Sequence, residues 1–254
     1  MFRQLLKRIG TAESAPPWSL WGAAGAVLAS FAAIIIGFTA ATVLVDEQQP
    51  AQYLFAWSVA AALIIVFVRF TRNRPEQWAG LRLNEPSAAS PLQNVFWYLL
   101  VGIGLAIILD LIGRGLTWQL VIEPELFRLA FYSQYYGQSV GLAWLLALLF
   151  MSLLQPVAES LVFQGLLLPS LRAALGAWPG YLLSGGVYGV FHFVAYPPTG
   201  TDFASLWYGL FAPLLAGLIF GAVQLYTGST RAAIITHAAF GLFAVVKLLT
   251  LVGG

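Results

Sequence analysis

The chain has 254 residues, of which 60% are hydrophobic and only 9% charged. A soluble domain of this length needs far more polar surface, so the composition excludes one. Its net charge of +2 rests on basic residues scattered between apolar runs, which excludes a nucleic-acid surface, and with no cysteine there are neither disulfides nor thiolate metal sites.

The apolar runs do not alternate with polar residues as barrel strands do, so the expected fold is all-α, a polytopic transmembrane helix bundle. Roughly seven spans are read at the scale of about 20 residues per crossing. They cover 18–45, 53–70, 94–112, 140–170, 179–195, 206–226 and 231–252. The segment 1–17 precedes them. It carries Arg3, Lys7 and Arg8 ahead of an apolar run too long for a signal peptide, and reads as a cytoplasmic N-terminal segment. The fourth span is longer than one crossing needs, so tilting or a kink near Pro156 is expected.

Positive charge orients the stack. Arg3, Lys7, Arg8, Arg69, Arg72, Arg74, Arg82, Arg172 and Arg231 fall on one side if the N-terminus is cytoplasmic. Asp46, Glu47, Arg114, Glu123, Glu125, Arg128, Asp202 and Lys247 fall on the other. Asp110 and Arg114 are spaced for an i,i+4 pair, and Lys247 is expected to snorkel outward. The organisation is then a set of N-terminal membrane helices over 18–138, with a basic cytoplasmic loop (71–93) and an aromatic external loop (113–139), followed by a helical core over 139–254. Trp118, Phe127, Phe131, Tyr132, Tyr135 and Tyr136 make part of the external loop a candidate interfacial helix.

Ionisable residues at membrane depth are costly and are read by default as functional. Glu159 lies in the fourth span, on one helix face with Ser152 and Gln155. A carboxyl desolvated there suits general acid–base work. Against this stands a structural carboxyl bonded to a neighbouring helix. His192 follows Tyr188 by one turn, and Gly185 and Gly189 form a strip for close helix approach that would bring His192 near Glu159. His237 lies about two turns into the last span, with Gly241 one turn on. Alone, His192 reads equally as a histidine near the outer interface, with Ala195, Tyr196 and Pro197 soon after it, and His237 equally as a helix-packing histidine bonded to a backbone carbonyl. Gly228 and Ser229 read as the stop of span six and the cap of span seven.

Three stretches in order carry a resemblance. Glu159-Ser160-Leu161-Val162-Phe163-Gln164-Gly165 matches Glu-Glu-x-x-x-Arg, Tyr188 to His192 matches Phe-x-x-x-His, and His237 to Gly241 matches His-x-x-x-Asn. The chain resembles the CAAX-protease and bacteriocin-processing family of intramembrane proteases, also called CPBP or Abi, over roughly residues 140–249. A weaker echo lies at Gly80-Leu81-Arg82. The resemblance implies an intramembrane endopeptidase acting on a membrane-associated or lipidated peptide. Glu159 would activate a water with His192 as its partner, and His237 would stabilise the oxyanion. Ser160, Gln164, Tyr188 and Gly241 are the supporting positions. Ser160 and Gln164 replace an acid and a base together, and Gly241 removes a donor.

No cofactor is required on this reading. Zinc is a secondary option, with Glu159, His192 and His237 as its ligands, although His-Glu-x-x-His spacing is absent. The expected partners are membrane lipid and a peptide or lipidated protein, with no nucleic acid. The expected location is integral to a membrane, in a bacterium the plasma membrane. Two alternatives stand beside the enzyme: a catalytically impaired relative acting as a membrane adaptor or immunity protein, and a small-solute or proton-coupled carrier.

Overall fold

The computed structural model describes residues 2–46, 49, 51–83, 91–118, 122–136, 141–198 and 200–252. Side chains at 2, 91–93, 132–136 and 252 are outside the description, as is Glu47. Among the described residues there are helices and no strand, as a chain in lipid requires when every backbone donor must be satisfied within its own segment.

The helices are α1 (Phe2–Gly10), α2 (Leu20–Leu44), α3 (Ala51–Thr71), α4 (Pro75–Gly80), α5 (Pro91–Thr117), α6 (Phe127–Tyr136), α7 (Gly141–Leu175), α8 (Ala177–Ala195), α9 (Phe203–Thr227) and α10 (Thr230–Val252). Six of them, α2, α3, α5, α7, α9 and α10, are long and apolar enough to cross a membrane. The protein is an integral, multi-pass membrane protein. The expected fifth span is α8, which is 19 residues long and is not among those six. Leu28, Ile35, Val43 and Leu44 on α2 and Ile108 and Leu111 on α5 are exposed, a burden that lipid removes.

Three helical stretches widen into π turns: Phe150–Leu154 and Leu161–Leu167 in α7, and Trp207–Phe211 in α9. Each is followed two residues later by a proline, Pro156, Pro169 or Pro213. Proline has no N–H to donate and crowds the carbonyl four residues back, and a π turn relieves both problems without ending the helix. The kink expected at Pro156 takes this form, and Gln155–Ser160, the turn that carries Glu159, lies between two π turns.

Within the N-terminal segment, residues 3–17 are tied to the bundle. Ile9 is buried in a small apolar cluster with Leu168, Tyr181, Ala222 and Leu225, which holds α1 against α7, α8 and α9. Arg172, only 3% exposed, fixes the segment. Its guanidinium donates to the Ile9 carbonyl at 2.6 Å, the Thr11 carbonyl at 2.7 Å and Oε2 of Glu13 at 3.2 Å. Glu13 also pairs with Arg82, whose carbonyl accepts from the N–H of Thr230 at 2.8 Å. The Gly80-Leu81-Arg82 stretch thereby ties the basic loop to the start of α10.

At the other end of the bundle Arg114 Nε meets Asp110 Oδ2 at 2.7 Å, the expected i,i+4 pair. Lys247 departs from expectation. It does not reach outward; it is 6% exposed, with Nζ 3.1 Å from Asp110 Oδ1 and 2.6 Å from Glu123 Oε1. Two carboxylates stand closer to it than bulk water, so it is held inward.

Candidate active site

α7, α8 and α10 bring their polar residues to one place. Glu159, 3% exposed, sits on the ordinary α turn of α7. Its Oε2 accepts from the Tyr188 hydroxyl at 2.7 Å and lies 3.0 Å from His192 Nε2 and 4.0 Å from His237 Nε2. Its Oε1 accepts from the Tyr196 hydroxyl at 2.8 Å. The Tyr188 oxygen is also 3.0 Å from His192 Nε2 and 3.4 Å from His237 Nε2, so one hydroxyl touches all three groups. Both carboxyl oxygens of Glu159 are therefore hydrogen-bonded, as burial of a polar group requires.

The packing around this cluster explains its register. Gly185 and Gly189 do make a close approach, but toward α9. A Cβ on Gly185 would lie 2.4 Å from Leu218 Cδ2, and one on Gly189 2.7 Å from Leu214 Cβ. Gly185 and Gly189 share a helix face with Tyr188 and His192, so this close approach to α9 sets the depth at which both side chains enter the site. Gly217 makes room for the Tyr188 ring, since a Cβ there would lie 2.6 Å from the ring's Cδ1. The His237 ring stacks on Phe220 at 4.5 Å between centroids and 21° between planes.

Gly241 has a structural reason. A Cβ at this position would lie 2.0 Å from the Met151 carbonyl oxygen, so α10 rests backbone to backbone on the first π turn of α7. Any side chain at 241, asparagine included, requires the helices to part. Ser160 and Gln164 are buried at 0% and 2% exposure. Neither Ser160 Oγ nor Gln164 Oε1 has a hydrogen-bond partner among the described residues, so neither joins the Glu159 cluster through those atoms.

Two participants escaped the sequence reading. Tyr196 is one turn beyond His192, a spacing that does signal a shared face. Glu125, in the short turn Pro124–Leu126, had no signal beyond being an acid among apolar neighbours. It is 6% exposed, accepts from Gln155 Nε2 at 3.3 Å, and puts Oε1 3.6 Å from His192 Nδ1. Burial pushes its carboxyl above the usual carboxylate range, while His192 pulls it back.

A cavity of about 50 Å³ opens beside the cluster, lined by Tyr188, His192, His237, Gln155 and Glu125 and reaching Asp110 and Glu123. It is large enough for a water molecule, and its walls carry the polar partners one needs. Glu159 does not line it, whereas its partners Tyr188 and His192 do; Glu159 lines a separate cavity of about 10 Å³ with Gln155 and Tyr196. Among the described residues no group of three or more His, Cys, Asp or Glu side chains is placed to hold a metal ion.

Fold and cluster together define a membrane-embedded helical protein with a buried Glu–Tyr–His–His site. Residues 141–243 match the family described as type II CAAX prenyl endopeptidase, Rce1-like. The resemblance drawn from the three motifs is borne out over that segment, which includes Glu159, His192 and His237. No curated protein and no solved structure matches the chain.

Proposed function

We propose that the protein is an intramembrane endopeptidase that hydrolyses a peptide bond of a membrane-associated or lipidated peptide. The observation that carries this reading is the convergence of Glu159, His192 and His237, from three helices, on one Tyr188 hydroxyl. The family match over 141–243 supports a peptidase in general terms. Glu159 is the base. Because Tyr188 and His192 line the cavity and Glu159 does not, a proton leaving a water there reaches it through one of them: the Tyr188 O–H passes its proton to Oε2 as it takes one from the water. His237, whose ring faces the cavity, stabilises the oxyanion as the carbonyl is attacked. No metal is assigned a step. The end that holds Glu13, Arg82 and Arg172 faces the cytoplasm, following the distribution of basic residues.

One observation favours a second reading, a catalytically impaired relative that serves as an adaptor: Glu159 has no face on the cavity. Purified protein in lipid nanodiscs, offered lipidated peptides, separates the two. On the endopeptidase reading Glu159→Gln lowers kcat/KM by about a hundredfold or more, the scale of a lost general base. Equal cleavage by wild type and variant overturns it.

A further inference from the structure

The second carboxylate of the site comes from outside the matched segment. Glu125 approaches His192 on the ring edge opposite Glu159, so the imidazole lies between two acids, 3.0 Å from one and 3.6 Å from the other. The turn bearing Glu125 is anchored on both sides. Leu126 and Leu129 are buried at 0% and 1% exposure, and Glu123 is held by Lys247. Gln155, one turn before Glu159 on the same helix, donates to the same Oε1 that faces His192. The turn therefore inserts an acid into the bundle at a fixed depth, and the anchoring limits its retreat toward solvent.

We propose that Glu125 is the positioning residue of His192: it holds the Nδ1 edge toward the turn and leaves Nε2 facing Glu159, Tyr188 and the cavity. A separation of 3.6 Å is an ion-pair distance, longer than a hydrogen bond. Contacts of this kind tighten once substrate is bound. A carboxylate behind a working imidazole fixes which nitrogen bears the proton and favours the ring when it becomes cationic. The turn thus makes the external loop part of the active site. With Ser160 in place of the second motif acid, Glu125 gives the cluster a second carboxylate from a different element.

The effect on rate rests on the endopeptidase reading; the effect on the ring does not. The chain has only two histidines, so nitrogen-15 histidine spectra of the full protein in nanodiscs resolve each ring, with His237→Gln assigning them. Glu125→Gln is expected to shift the Nδ1 resonance of His192 and leave that of His237 in place, both in wild type and in a Glu159→Gln background. Glu125→Asp is expected to restore much of the wild-type position. In cleavage assays Glu125→Gln lowers kcat by about tenfold or more with KM little changed, less than the roughly 10⁴-fold lost when a carboxylate in full hydrogen-bond contact with a catalytic imidazole is replaced. An unmoved His192 Nδ1 resonance overturns the inference. A shifted resonance in a protein that cleaves nothing upholds it and sinks the endopeptidase reading. Should Glu125→Gln fail to fold, Glu123→Gln, which releases the turn from Lys247, is expected to move the same resonance, and no movement is again decisive against it.

Discussion

The molecule buries charge in two different ways. Around Arg172 a guanidinium meets an acid and backbone carbonyls: Glu13, Ile9, Thr11 and, at 3.2 Å, Ala177. An arginine cannot give up its proton in a protein, so these bonds pin α1 and the start of α8 permanently. Among the described residues, no lysine or arginine is bonded to Glu159. Its partners are two phenols and two imidazoles, groups that donate, accept and exchange protons. The first cluster is built to stay as it is; the second is made of groups whose chemistry allows protons to be exchanged. Burial alone does not separate them, since Arg172 and Glu159 are equally hidden at 3% exposure. The chemistry of the partners does.

The contrast can be broken by exchanging the consequences. Glu159→Gln is isosteric and keeps an acceptor for Tyr188, so its loss of two orders of magnitude or more in cleavage is expected with little change in Tm. A large fall in Tm instead would make Glu159 a structural carboxyl like Glu13. Arg172→Met is expected to do the reverse, lowering stability by about 3 kcal/mol, the scale for breaking a buried pair, while the specific activity of the folded fraction stays near wild type. Denaturant unfolding alongside peptide cleavage reads both.

Gly241→Asn tests whether the departure at 241 is a lost donor or a packing requirement. The contact with Met151 predicts destabilisation of about 1–3 kcal/mol, the range for overpacking, and no gain in cleavage. A more active, equally stable variant would assign 241 to the chemistry instead. The smallest effect lies at Asp202, which caps the start of α9 by accepting from the Ser205 N–H at 2.8 Å. That bond holds its carboxyl below the usual value of 3.8. The sign follows: the cap's contribution is present above the unfolded-state value and is lost as pH falls through the lower, folded one. The protection factor of the Ser205 amide, its exchange rate relative to the unstructured chain at the same pH, is expected to fall only in that acid range, with Glu159-dependent cleavage unaffected by Asp202→Ala at neutral pH.

Much of the architecture was legible because lipid imposes a simple rule. Long apolar runs without alternation can only be helices, and acids and imidazoles within them must find one another. Glu159, His192 and His237 could be picked out for that reason, and the three motifs put them in order. Other features were legible only in direction. The sequence signalled a kink at Pro156 but not that π turns absorb three prolines. It signalled close packing by Gly185 and Gly189 but not that α9 was the partner. It placed Lys247 at the correct end of the bundle and aimed it the wrong way, because snorkelling is a property of one helix and the Asp110 and Glu123 carboxylates that hold it come from elsewhere.

Local pattern thus determined the helices, the membrane and the candidate acid and histidines. Tertiary structure decided how they are used. Tyr188 is a motif position in the sequence; only the crossing of α7, α8 and α10 makes its hydroxyl the common contact of the cluster. Glu125 belongs to no motif, since nothing along the chain relates a turn between α5 and α6 to a histidine on α8. Helical periodicity reports which residues share a face over a few turns, whereas contacts between segments dozens of residues apart depend on how whole helices pack, and there the second carboxylate of the site was found.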